Sequence, residues 1–212
     1  MGGNILHGSD GIFELERSEV VNGNAAWGAG IATIGDMVVM NVTFSNNIAS
    51  TNGGAIYIGA GSFEATHATI VNNVADNGAG IYDAGTAAFL KSTIIALNMT
   101  SGGYPANCIG SVTSLGYNLT NDIDCPLTAT GDRLNTDPGL GVYGTHGSLN
   151  GTHSYPLESG SPAIDAADPA LGPVVDQRGK PRPVDGDSDG APIRDIGAYE
   201  VQLMFFLPMI KK

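Results

Sequence analysis

The chain has 212 residues, a formal charge of −12, 31 glycines and only 14% charged side chains. Arg17, Lys91 and Arg133 are the only basic residues ahead of Arg178, which excludes the clustered Lys and Arg that a nucleic-acid groove needs. No apolar run reaches membrane-spanning length, the longest being Leu203–Ile210 with Pro208 inside it, and the size suits one domain with a continuous core.

Turn residues recur along the whole chain, which favours short strands joined by tight turns. From the N-terminus, the segments Gly28-Ala29-Gly30-Ile31, Gly53-Gly54-Ala55-Ile56-Tyr57 and Gly78-Ala79-Gly80-Ile81-Tyr82 repeat with their isoleucines 25 residues apart. Between them Val42-Thr43-Phe44-Ser45-Asn46-Asn47 matches Ala68-Thr69-Ile70-Val71-Asn72-Asn73. Ser92-Thr93-Ile94-Ile95 follows 24 residues later, and Ser18-Glu19-Val20-Val21-Asn22 is a weaker first copy.

A period near 25 is too short for a pair of helices and suits one turn of a β-solenoid. The expected fold is an all-β, right-handed parallel β-helix with three strands per coil. Regular coils cover about residues 5–100, and less regular coils with a cap cover 101–201. Alternation within the strands points Ile31, Ile56 and Ile81 inward, with Phe44, Ile70 and Ile94 on another wall. The Asn-Asn pairs are read as corners, because Asn tolerates the left-handed conformation and stacked Asn side chains can bond along a ladder. The glycines before each isoleucine mark further corners. Asn-x-Ser/Thr triplets at Asn41, Asn98, Asn118 and Asn150 imply surface exposure and nothing more.

Cys108 and Cys125 flank the Gly116-Tyr117-Asn118-Leu119 turn. Two thiols cannot make a four-ligand zinc site. A disulfide is expected because the surrounding sequence otherwise reads as secreted, with buried free thiols as the alternative. Asp185-Gly186-Asp187-Ser188-Asp189-Gly190 resembles the first half of a calcium loop, although no Glu stands at the closing position of an EF-hand. Asp185, Asp187 and Asp189, completed by Asp195, form the candidate calcium ligands. A solvated acidic turn is the alternative. Asp176, Arg178, Arg182 and Asp195 are expected to pair within the closing segment as scaffold.

A resemblance enters here. Gly53–Tyr57 with Asn72-Asn73 resembles the GGAI repeats of polymorphic outer-membrane proteins. The second half carries Ser114–Leu119, Asp137–Gly141, His153–Leu157, Gly160–Asp165, Asp176–Gly179 and Asp195–Glu200. That series is similar to the choice-of-anchor Q family of secreted bacterial β-helix proteins. The resemblance implies a pectate-lyase-like solenoid, an extracellular, cell-surface destination, a C-terminal capping region and no established activity. Members usually carry a signal peptide and further coils upstream, so the first coil is expected to be uncapped.

Catalysis in such a fold needs acidic and basic groups converging on one face. Asp36, Glu64, His67, Asp76, Asp83 and Lys91 do not occupy equivalent positions of one strand, and His67 is expected to point outward. The chain is therefore expected to be non-enzymatic, without a cofactor unless calcium, and to bind copies of itself. An open first coil exposes strand edges. The apolar tail 202–212, through Leu203, Phe205, Phe206, Leu207 and Ile210, is expected either to join subunits head to tail or to pack along its own solenoid. An adhesin or carbohydrate-binding module that takes a surface polysaccharide is the alternative, with Tyr57 and Tyr82 as its aromatic row. A polysaccharide lyase or hydrolase ranks below both.

Overall fold

The computed structural model describes residues 2–84, 87–170 and 172–202. Its strands are β1 (Ile5–His7), β2 (Ile12–Glu16), β3 (Glu19–Val21), β4 (Asn24–Trp27), β5 (Ile31–Thr33), β6 (Asp36–Met40), β7 (Thr43–Ser45) and β8 (Ile48–Asn52). They continue with β9 (Ile56–Ile58), β10 (Ser62–Thr66), β11 (Thr69–Val71), β12 (Ile81–Asp83), β13 (Ala87–Lys91), β14 (Ile94–Ala96), β15 (Cys108–Ile109) and β16 (Val112–Ser114). Sheet I is ordered β1-β5-β9-β12-β15, sheet II β16-β13-β10-β6-β2, sheet III β14-β11-β7-β3 and sheet IV β4-β8. Every pairing between strands is parallel, as one coil laid on the next requires. The expected parallel β-solenoid of about 25 residues per coil is what forms.

Each early coil carries a fourth short strand, β4 or β8, where three were expected. β8 bridges Val74 and Asn77 in the next coil, where no full strand forms. The cause is the Asn-Asn corner, which turns the chain far enough that the following residues lie against the neighbouring coil.

The interior stacks as the period demands. Ile31, Ile56 and Ile81 are in register and fully buried, and Phe44 and Ile70 face inward in register from sheet III. The third member of that row is Ile95, because Ile70 pairs with Ile95 and Thr69 with Ile94. The expectation for Ile94 was one residue out of step, and in a strand one residue changes the face. Ile94 instead points out of the solenoid into a second cluster with Tyr155, Leu157, Ala163 and Ile196.

The corners follow a rule. Asn22, Asn46 and Asn72 have φ of 59°, 57° and 59°, a region that costs Asn less than most residues. The second Asn of each pair turns inward. Asn47 Nδ2 donates to Asn73 Oδ1 at 2.9 Å, Asn73 to Asn98 at 2.8 Å and Asn98 to Asn107 at 2.8 Å. Each also donates to a backbone carbonyl, so this polar column is buried and satisfied.

At the C-terminal end, Cys108 of β15 is bonded to Cys125, and Leu127 joins the same core cluster. The segment from Leu119 to Arg133 thus closes the last coil. The remaining described residues do not extend the stack. They fold back as an irregular layer over the outer face of sheet III, placing Ala198 N on Thr69 Oγ1, Gln177 Oε1 on Thr43 Oγ1 and Tyr155 OH on Ser45 Oγ.

Candidate functional site

The layer meets the solenoid along a seam rich in ionisable groups. Arg182 is buried at the corner between sheets II and III. Its Nε lies 3.0 Å from Glu200 Oε2, an ion pair without hydrogen-bond alignment, while its Nη1 donates to Asn41 Oδ1 and its Nη2 to Tyr199 O. Arg178 pairs with Asp176 at 2.6 Å and stacks on Tyr199. The expected partners Asp176, Arg178, Arg182 and Asp195 thus converge, with Glu200 as the added member. Asp195 accepts the amides of Asp165 and Val201. Burial, and then the charge of Glu200, raise its pKa to about 8. Burial likewise raises Glu200 above the usual carboxylate range.

His67 was expected to point outward into solvent; it points out of the coil but is buried under the layer. It sits in the left-handed corner before β11 at φ 50° and is 2% exposed, with Nδ1 3.2 Å from Asp195 O. Burial and then the Arg182 charge hold its pKa well below 6.5, so it is a neutral packing group. The other groups tested for catalysis are dispersed. Asp36 accepts from Ser62, Asp76 from Ser101, and Lys91 pairs with Asp168 at 2.8 Å. Glu64 lies on the outer face of sheet II and Asp83 on sheet I.

The acidic loop is held from outside itself. Asp165 Oδ2 accepts the amides of Gly186 and Asp187 at 2.8 and 2.9 Å. One oxygen each from Asp165, Asp185 and Asp187 lies within 4.8 Å of the others, a set of hard donors with the chemistry of a cation loop. Burial, opposed by its amide bonds, raises the Asp165 pKa. Asp189 and Asp195 do not join this set: Asp189 Oδ1 caps Ala191 N, and the Asp195 carboxylate is engaged by backbone at the seam. The sequence pointed to the loop, but Asp165, twenty residues upstream, carried no signal for it.

The outer face of sheet I carries the row Leu6, Ala32, Tyr57, Tyr82 and Ile109. Tyr57 and Tyr82 stack at 5.7 Å, and Trp27 reaches over the small Ala32 to stack on Tyr57 at 5.5 Å. The row therefore has three rings, one more than the repeat showed. Of the triplet asparagines, Asn41, Asn98 and Asn118 are buried and Asn150 alone is exposed, because the ladder and the seam take the first three. Leu203, Phe205, Phe206, Leu207 and Ile210 lie outside the described residues.

Residues 41–59, running from the Asn41 corner through β7, β8 and β9, match the Chlamydia polymorphic membrane protein (Chlamydia_PMP) repeat. Two curated proteins share a stretch with the chain, each 38% identical over 72 residues: 4-hydroxy-2-oxovalerate aldolase 4 of Paraburkholderia xenovorans (strain LB400) and 4-hydroxy-2-oxovalerate aldolase 2 of Metapseudomonas furukawaii. That stretch is 33% of this chain and spans 21% of the length of those enzymes. No solved structure matches the chain. Repeat and coils together fit a β-solenoid of the polymorphic-membrane-protein kind.

Proposed function

We propose that this chain is a non-enzymatic scaffold at a bacterial cell surface and that it stacks end to end through the strand edges of its first coil. The coincidence of the polymorphic-membrane-protein repeat with about three quarters of one coil, residues 41–59, carries the surface reading. The likeness of the C-terminal half to choice-of-anchor Q proteins supports the same destination. The match to two aldolases covers a third of this chain and 21% of those enzymes, too little to carry their activity over.

Stacking is supported by geometry. Among the described residues β1, β2, β3 and β4 are each the outermost strand of their sheets, and a strand edge of this kind can accept another parallel strand. Leu6 and Ile12 are each 64% exposed there. Antibody labelling of intact against permeabilised source cells tests the surface assignment, and labelling only after permeabilisation would overturn it. Sedimentation and electron microscopy over a concentration series test stacking. Growing rods support it, whereas monomers at every concentration remove it.

The row Trp27, Tyr57 and Tyr82 favours a second reading, an adhesin for surface polysaccharide. The rings stack on one another, and Trp27 at the end of the row is 37% exposed. A glycan array comparing Trp27→Ala with the parent chain decides this, since unchanged binding would exclude the row.

A further inference from the structure

We propose that the C-terminal layer binds an acidic monosaccharide, a sugar carrying one carboxylate, in the pocket between the turn Asp176–Lys180 and the segment His146-Gly147. The pocket encloses about 340 Å³ and is lined by His146, Gly147, Arg178, Lys180, Tyr199 and Gln202, room for a sugar ring rather than a bare ion. Its walls are fixed by bonds within the layer. Asp176 Oδ1 accepts the amides of Arg178 and Lys180 at 2.9 Å each, and Asp176 N donates to Lys180 O at 2.8 Å, which closes the turn. Arg178 lies over the Tyr199 ring at 3.5 Å, and its Nη1 donates to His146 O at 3.2 Å. Leu149 N donates to Arg178 O at 2.9 Å, so the opposite wall is tied to the same turn. Gly147, at φ 73°, brings no side chain into this space and lies beside the Lys180 ammonium.

The polar groups left over at the pocket define the ligand. Among the described residues no carboxylate lies within ion-pairing distance of Lys180. The Arg17 guanidinium rests against Gly179 in the same turn. Arg17, Arg178 and Lys180 thus gather around the single carboxylate of Asp176, in a chain of net charge −12, and such a local excess of cations attracts an anion. Of the guanidinium N–H groups of Arg178, those on Nε and Nη2 and one on Nη1 go to Asp176, His146 O and Glu200 O, which leaves one on Nη1. The remaining polar atoms are neutral. The Tyr199 hydroxyl has no hydrogen-bond partner among the described residues. His146 Nε2 donates to Val142 O at 2.7 Å, which leaves Nδ1 of the neutral ring as an acceptor. Gln202 Nε2 donates to Pro181 O at 3.0 Å, which leaves Oε1 as another. An ammonium beside a guanidinium N–H suits a carboxylate, and one hydroxyl with two acceptors suits the hydroxyls of a sugar. This site is separate from the stacking edges and from the Trp27 row, and its failure would leave both of those readings standing.

Amide NMR of the full wild-type chain, titrated with glucuronate at constant ionic strength, tests the proposal. Saturable shifts are expected at the amides of Gly147, Lys180 and Tyr199. Glucose, which has the ring without the carboxylate, is expected to bind about tenfold more weakly, and sulfate, which has the charge without the ring, is also expected to bind more weakly. The variant Lys180→Met keeps the stem and drops the charge. It should lose about tenfold in affinity for glucuronate, with unshifted amides in β9 and β10 as the check that it folds. Tyr199→Phe should lose several-fold. No saturable shift in the wild-type chain, or equal affinity in folded Lys180→Met, overturns the proposal. Glucose or sulfate binding as tightly as glucuronate overturns it as well, since the first removes the role of the charge and the second that of the ring. The glucose and sulfate comparisons need no variant, so they decide the matter even if Lys180→Met does not fold.

Discussion

The coil interior and the seam under the C-terminal layer are both dry, yet they are built from opposite materials. The interior is a stack of mostly Ile, Val, Phe, Met, Leu and Ala whose positions recur from coil to coil, broken by a column of asparagines and by the buried Thr33 and Asp83 at the end of sheet I. The seam buries Arg182, Glu200, Asp195, Asp176, Arg178 and His67, none of them repeated. A stacked apolar interior draws its stability from area removed from water, whereas a buried ion pair roughly balances desolvation against attraction. The solenoid should therefore resist any change of pH, and the layer should be the part that responds.

Phe44→Ala probes the interior most severely. Phe44 is fully buried between Val20 and Ile70, so truncation should cost about 4 kcal/mol in denaturant unfolding. A loss below about 1 kcal/mol would mean that the coil can collapse around the cavity. Arg182→Leu comes next, at about 3 kcal/mol, because Glu200 stays buried without its cation. Its signature is location. In hydrogen exchange, the amides of Gln177, Ile196 and Gly197, which bond within the layer or to the solenoid, should lose protection while β9 and β10 keep theirs. Equal loss in both regions would erase the distinction between seam and interior.

Replacing Cys108 and Cys125 together by serine should cost about 3 kcal/mol, the chain-entropy value for a loop of this size. The loss should be confined to the closing segment from Leu119 to Arg133, and thermal unfolding with local exchange measures it. Protection lost as far back as β5 would show that the cap holds the whole stack.

The legibility of the sequence follows the same division. Ile31, Ile56 and Ile81 announced the solenoid because one coil repeats the next, and the Asn pairs announced corners because few side chains accept positive φ. The slip at Ile94 arose because Thr93-Ile94 mimics Thr69-Ile70 while the true register adds one residue. Where contacts do not repeat, pattern had nothing to offer. His67 is buried by Asp195, 128 residues away, and Asp165 supports a loop that shares no period with it. Trp27 joins the tyrosines from the end of a different strand, so its distance along the chain hid it.

The smallest effect divides the two regions most cleanly. Asp195 has a folded pKa of about 8 against 3.8 for the free side chain. Its contribution is therefore fully present below pH 3.8 and declines as pH rises to about 8. His67 is depressed below 6.5, so its contribution is present above 6.5 and is lost as pH falls below that value. Below pH 6.5 the two slopes oppose each other; between 6.5 and 8 that of Asp195 acts without opposition from His67. Opening of the seam, followed by exchange of Ile196 and Gly197 after correction for chemical exchange rate, should become easier over that interval, with Asp195 alone contributing up to about 1.4 kcal/mol per pH unit. The interior amides of β9 should not change. In His67→Asn the opposing slope is gone, so the decline should begin well below pH 6.5. A seam whose opening is flat from pH 6.5 to 8 would show that Asp195 is ionised in the folded chain, with the amides of Asp165 and Val201 outweighing its burial.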